Sequence, residues 1–259
     1  MRRRIRVWSR TGRLAWATVH RLGRAELRAL VLAAGRPGSP RDPRPFREEL
    51  DRWAADALDA LGVVVDLPGG WPERLPGPHL VVANHRAFVD IPLFLRLFGG
   101  RHLSRGDLAG WPVVGHAAQR IGTLFVDRED GGSGARAVRS LRRAFQGGDT
   151  VLVFPEGGTH AGDEVRPFRA GAFVAAKGLP VTVTPVGVAY PPGLDWSGMG
   201  FQAHLARVVE APRVPVAVAV GRSRPLGDRP REAAVTLRDE VQELVDMARA
   251  RLVASPQGD

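Results

Sequence analysis

Placed at about 100° per residue, residues 2–30 gather Arg2, Arg3, Arg6, Arg10, Arg13, Arg21, Arg24 and Arg28 on one arc. Ile5, Trp8, Trp16, Val19, Leu22, Leu27 and Leu30 lie opposite. The pattern predicts a strongly sided helix, with Gly12 and Gly23 able to divide it into shorter pieces. Arg36–Pro45 reads as a linker, because its prolines block helix and its backbone has nowhere to pair. Phe46, Leu50, Trp53, Ala54 and Leu58 then recur at helical spacing through Leu61. From there β-type runs (Val63–Asp66, Leu80–Ala83, Thr123–Val126, Val151–Phe154, Val181–Val188, Val216–Val220) alternate with helical ones (Ile91–Phe98, Pro112–Arg120, Ala135–Phe145, Gly171–Lys177). Phe201–Glu210 reads as one more strand. Arg229–Leu252 reads as a closing amphipathic helix, with Asp228 as N-cap and Pro230 in its first turn. The alternation predicts a single α/β domain, a mixed and largely buried sheet flanked by helices, over 46–259. Residues 1–45 form an amphipathic basic helical segment and linker ahead of it.

Charge changes this picture at the N-terminus. The chain carries 37 Lys and Arg against 27 Asp and Glu, a formal charge of +10. Such an excess predicts attraction to an anionic partner. An apolar face bearing tryptophans beside an arginine face suits a helix lying on an anionic membrane surface, so residues 1–35 are the expected contact. The alternative is a surface helix docked on its own domain. No apolar run reaches the length of a bilayer span, and no apolar stretch of leader type follows the basic start. The expected location is therefore cytoplasmic, peripheral to the inner face of the cell membrane.

The chain has no cysteine, which excludes disulfides, thiolate nucleophiles and thiolate metal sites. It has no Gly-Lys-Ser/Thr phosphate loop, and its nearest approach to Gly-x-Ser-x-Gly, Gly131–Ala135, ends in alanine. No convincing metal-ligand set surrounds any histidine, so neither metal nor resident cofactor is expected. Nothing resembles a nucleic-acid reading module, which leaves nucleic acid outside the expected partners.

Histidine five residues ahead of aspartate occurs twice, at His85–Asp90 and His102–Asp107. Context separates them. Asn84-His85 ends a β-type run, where α/β sheets meet their substrates, and Asp90-Ile91-Pro92 suits the start of a helix. A tight turn there folds the Asp90 carboxylate back onto one imidazole nitrogen and leaves the other free as a base. His102–Asp107 has no such turn signal. Three further clusters follow. Gly122-Thr123-Leu124-Phe125-Val126-Asp127-Arg128 brings a guanidinium to a strand end, suited either to a phosphate or to its acidic neighbours. Phe154-Pro155-Glu156-Gly157-Gly158 ends a strand in a turn whose glycines admit a ligand and whose acid either meets a hydroxyl or faces water. Val183-Thr184-Pro185-Val186 is an apolar strand whose proline points to an edge or a ligand-facing wall.

In order and approximate spacing, these clusters resemble the four sequence blocks of the glycerolipid acyltransferase family, of the 1-acyl-glycerol-3-phosphate acyltransferase type. Arg105-Gly106-Asp107-Leu108 with Trp111-Pro112, and Pro167–Phe173, resemble its connecting segments. The likeness covers roughly residues 60–220. It implies a mixed sheet flanked by helices, with His85 as general base and Asp90 as its orienting partner. It implies a substrate site to which Asn84, Arg105, Gly122, Arg128, Glu156, Gly157 and Pro185 contribute. Gly122 and Arg128 would meet the acceptor phosphate, Glu156 and Gly157 the glycerol phosphate, and Pro185 the acyl donor. It further implies acyl-CoA or acyl-carrier protein as donor and a lysophospholipid hydroxyl as acceptor, with 1-acyl-glycerol-3-phosphate as the foremost acceptor. One departure stands out: Gly158-Thr159 occupies the place where the family usually has Thr-Arg. Arg166 and Arg169 are the nearby arginines that could supply the charge. A different lysolipid or polar-lipid acceptor, or a non-catalytic peripheral membrane protein of the same fold, are the alternatives.

Overall fold

The computed structural model describes residues 2–34, 44–71, 75–105, 123–126, 133–196 and 198–254. Its helices are α1 (Arg2–Ala34), α2 (Arg44–Leu61), α3 (Asp90–Phe98), α4 (Ser133–Gln146), α5 (Gly171–Ala176), α6 (Phe201–Glu210) and α7 (Pro230–Ala254). Its strands are β1 (Val63–Asp66), β2 (His79–Ala83), β3 (Arg101–Arg105), β4 (Leu124–Val126), β5 (Thr150–Val153), β6 (Thr182–Ala189), β7 (Val214–Val220) and β8 (Arg224–Pro225). They form one sheet in the order β1-β7-β6-β2-β5-β3-β4, with β8 beside β6. The β6–β7 and β6–β8 pairs are antiparallel and the others parallel. This is the mixed α/β sheet that the alternation predicts.

Both faces of the sheet are covered, which is why its central strands read as unbroken apolar runs. Side chains alternate across a strand. Val81 and Ala83 of β2 therefore join a core with α2, α3 and α6, whereas Leu80 and Val82 join one with α4, α5 and α7. Helix α7 crosses β6 at Gly187, where an added Cβ would fall 2.4 Å from the backbone of Leu244 and Val245. Only the bare backbone permits that approach.

Two local expectations change, and one strand lies outside the apolar pattern. Phe201–Glu210 is a helix, because Phe201, His204, Leu205, Val208 and Val209 follow helical spacing, and His204 and both valines turn inward. Arg101–Arg105 forms a strand despite its polar sequence, because β5 and β4 pair with its backbone on either side. Pro185 lies at neither a sheet edge nor an open wall. It is buried inside β6, whose far side pairs with β8 at Thr182–Val183 and with β7 from Val186 onward. Its carbonyl accepts the Gly221 N–H at 2.9 Å on that side, so the missing N–H falls in the gap between the two partner strands. Most of the linker and the segment 112–120 lie outside the described residues.

Helix α1 is continuous through Gly12 and Gly23 and packs on α2 and α6. From its arginine face Arg6, Arg10 and Arg21 turn inward. Arg10 is buried and donates to the carbonyls of Ala211 (2.6 Å) and Pro212 (2.9 Å), and Arg6 donates to that of Glu210 (3.1 Å). Two guanidinium groups thus cap the carbonyl end of α6. Arg21 pairs with Asp56 at 2.8 Å. Arg21, Arg24 and Arg28, with Arg52 of α2, surround the buried Glu49 at 2.7–3.5 Å. Burial pushes the Glu49 carboxyl up, but the guanidinium groups outweigh it and hold the carboxyl below its ordinary value. The apolar face points outward, with Trp8 78% and Trp16 62% exposed beside Ile5, Val19 and Leu27. Among the described residues no helix is long and apolar enough to cross a membrane.

Candidate active site

Strand β2 ends in a seven-residue turn, Asn84–Asp90, whose two ends are anchored to Val188 of β6 and to Tyr190 just beyond it. Asn84 is buried and continues the sheet by its side chain. Its amide N–H donates to the Val188 carbonyl and its amide oxygen accepts the Val188 N–H, each at 2.8 Å. Expected to meet substrate, this side chain instead has both amide ends occupied by the fold.

At the far end of the turn the Asp90 carboxylate is buried on the first residue of α3, where a helix N-terminus favours negative charge. Its Oδ2 accepts the backbone N–H groups of Arg86 (2.7 Å) and Ala87 (2.9 Å) and lies 2.8 Å from His85 Nδ1. Its Oδ1 accepts the Tyr190 hydroxyl at 2.6 Å. Burial pushes this carboxyl up; His85, the Ala87 N–H and the Tyr190 hydroxyl together outweigh it and bring it below the ordinary value. The His85 ring stacks on Phe154 with centroids 4.2 Å apart and planes 10° from parallel. With 15% of the side chain exposed, Nε2 is the ring nitrogen left for a reactant.

Glu156 is the junction between this turn and the next. Its Oε1 accepts the His85 N–H (2.9 Å) and the Arg86 guanidinium (2.8 Å), and its Oε2 accepts the Arg166 N–H (2.9 Å). Arg86, equally buried, also donates to the carbonyls of His85 (2.9 Å), Gly162 (2.6 Å) and Glu164 (2.8 Å). Burial of an ion pair is tolerated when remaining donors and acceptors are satisfied in this way. Glu156, expected to hold the glycerol phosphate, is thus a clamp between the 84–90 turn and the 156–166 loop. Gly157 takes φ +80°, and Nε of Arg169 lies 2.6 Å from where its Cβ would be. Arg169 therefore lies against this turn, whereas the Arg166 side chain pairs outward with Glu164 at 3.2 Å.

Gly122, Arg128 and Asp107 lie outside the described residues. The backbone of Arg105 closes β3 opposite Val126. His102 is buried in β3, with Nε2 3.2 Å from the Ile91 carbonyl and its ring stacked near Phe154. Burial pushes it down to about 4, so it stays neutral near pH 7.

Sequence reasoning missed Arg86, Tyr190, Trp196 and His204. Nε2 of His204 accepts the Phe88 N–H at 3.0 Å, inside the turn, while the ring stacks on Trp196. Burial brings His204 to about 4, keeping it the neutral acceptor this bond requires. The Trp196 backbone N–H donates to the Arg86 carbonyl at 2.6 Å. Arg86, between His85 and Asp90, carries no signal of its own in the sequence. Tyr190 is a lone hydroxyl ending a buried run, a signal open to use.

An imidazole held at Nδ1 by a buried carboxylate and open at Nε2 can take a proton from a hydroxyl or water. Residues 71–189 match the Acyltransferase family model. The chain is 35% identical to a lyso-ornithine lipid O-acyltransferase of Pseudomonas aeruginosa over 191 residues, covering 72% of this chain and 70% of that protein. It is 32% identical to a 1-acyl-sn-glycerol-3-phosphate acyltransferase of Neisseria meningitidis over 142 residues, spanning 55% of this chain and about half (54%) of that relative. In fold it resembles the crystal structure of the 1-acyl-sn-glycerophosphate (LPA) acyltransferase PlsC from Thermotoga maritima. That likeness has a TM-score of 0.61 at 22% identity and covers 96% of this chain and all of the other.

Proposed function

The chain belongs to the acyltransferase family, and we propose that it moves a fatty acyl group from acyl-CoA or acyl-carrier protein to a lysolipid hydroxyl, with His85 as general base. The observation that carries this is the pairing of His85 Nδ1 with the buried Asp90 carboxylate, which leaves Nε2 open. Neutral His85 takes the hydroxyl proton as the acceptor oxygen attacks the thioester carbonyl. Asp90 stabilises the imidazolium that develops. The tetrahedral intermediate collapses by breaking the carbon–sulfur bond, and the departing thiolate takes the proton back from His85. General-base assistance of this kind contributes roughly 10²–10⁴-fold. The acyl group passes directly from sulfur to oxygen, without an acyl-enzyme.

1-Acyl-glycerol-3-phosphate, giving phosphatidic acid, is the first acceptor to test. Lyso-ornithine lipid is the second, favoured by the relative with the longer alignment and by the Gly158-Thr159 departure at the turn. Purified protein assayed with both lysolipids beside His85→Ala decides the matter. Turnover that falls at least 100-fold in His85→Ala supports the base, whereas unchanged turnover refutes it.

The outward apolar face of α1 supports a peripheral seat on a membrane surface. Its described arginines are largely engaged with α2 and α6, so the apolar side chains carry the contact. Trp8→Ala with Trp16→Ala should reduce binding to lipid vesicles more than added salt does. Binding that collapses in salt but survives both substitutions would show that charge provides the contact instead.

A further inference from the structure

A buried carboxylate that steadies an imidazolium must itself stay ionised and hold one orientation. Three donors converge on Oδ2 of Asp90, all from within the 84–90 turn: the His85 ring and the N–H groups of Arg86 and Ala87. Among the described residues Oδ1 takes its hydrogen bond from one group, the hydroxyl of Tyr190, 100 residues away in sequence. Tyr190 is the only tyrosine in the chain and is buried.

Resting on His85 as the base, we propose that Tyr190 is a positioning residue for the reaction: its hydroxyl holds the second oxygen of Asp90, keeping the carboxylate charged and aligned on the imidazole. Tyr190 directly follows β6, and Val188, two residues earlier, grips Asn84. One strand end therefore holds both ends of the turn, Asn84 through Val188 and Asp90 through Tyr190, and sets the span across which His85 meets its partner. The tyrosine backbone is fixed in turn. Its carbonyl accepts Arg249 of α7 at 2.7 Å, while the same guanidinium grips Asp163 through two bonds of 2.6 and 2.7 Å. Burial and the charge of Asp90 hold the phenol well above its ordinary value, so it stays protonated and donates. A buried carboxylate oxygen without a donor would favour protonation, and a neutral acid cannot stabilise an imidazolium.

The alternative is a tyrosine that fills space, for which phenylalanine would serve equally. Tyr190→Phe in the full chain, assayed in micelles with 1-acyl-glycerol-3-phosphate and acyl-CoA, should lower kcat roughly tenfold, the scale of one hydrogen bond to a charge. Both KM values should stay within about twofold. In an Asp90→Asn background the same substitution should cost almost nothing more, because the oxygen it serves no longer carries the charge. Full activity of Tyr190→Phe, or an equal loss in both backgrounds, would overturn the proposal. A second measurement needs neither turnover nor that variant. Fluorotyrosine incorporated throughout the chain labels Tyr190 alone, and its single fluorine resonance should move in Asp90→Asn; an unmoved resonance overturns the proposal. His85→Ala tests the underlying function separately. If it keeps full activity the base assignment fails, whereas an inactive His85→Ala beside a fully active Tyr190→Phe sinks only the role of Tyr190.

Discussion

Two buried glutamates organise this protein in opposite ways. Glu49, under α1, is surrounded by four arginines whose side chains are 21–53% exposed. Glu156, beside the Asn84–Asp90 turn, has one buried arginine and two backbone N–H groups. Long exposed guanidinium groups are interchangeable, and each contributes little. Backbone donors have one position each. The first arrangement is an adhesive that tolerates loss of a member; the second sets a geometry and does not. Glu156 accordingly braces the turn that carries His85, and Glu49 holds a helix whose apolar face looks outward.

Arg86→Met should produce the largest difference between the two. It leaves the Glu156 charge buried without its partner, which costs about 3–5 kcal/mol. Thermal unfolding should show the fall, and turnover should drop at least 100-fold as the His85 backbone loses its support. Glu156→Gln comes next: the shape is kept and the charge lost, so turnover should fall roughly tenfold, on the scale of hydrogen bonds to a charged group, with a smaller fall in Tm. Equal Tm and turnover in Glu156→Gln and wild type would dissolve the contrast.

Acid should weaken the turn before it weakens α1. His102 and His204 are held to about 4 when folded, against an ordinary 6.5. Between those values the unfolded chain binds protons that the folded chain refuses, so stability is lost as pH falls from about 6.5 to about 4. His204→Gln should flatten that part of the Tm–pH curve, and an unchanged slope would remove His204 from the account. Glu49→Gln should cost only about 1–2 kcal/mol, part of it recoverable at high salt in wild-type comparisons. Arg24→Ala should change stability by less than about 0.5 kcal/mol, measurable by denaturant unfolding. A loss in Arg24→Ala matching that of Arg86→Met would show that α1 is held as rigidly as the turn.

Much of the fold was legible because burial on both faces leaves long apolar runs in β2, β5, β6 and β7, and one-sided burial leaves helical spacing in α2 and α3. The exceptions have local causes. His204 interrupts the apolar stripe of α6 with a polar ring whose Nε2 accepts the Phe88 N–H. The polar letters of β3 concealed a strand held by its backbone. In the turn, the meeting of His85 with Asp90 was legible because five residues suffice to close it. The partners of Glu156 and Asn84 were not, since Arg86 carries no signal of its own and Val188 lies 104 residues away.

By itself the sequence determined which residues alternate, where β2 must stop, and that His85 and Asp90 share one turn. Those are local matters of periodicity and turn geometry. Tertiary structure alone decided which face of α1 looks outward, that Glu156 clamps the turn from within, and that Tyr190 serves the second oxygen of Asp90. Each depends on a partner brought from another element, and a buried charge takes whatever donor the packing places within reach.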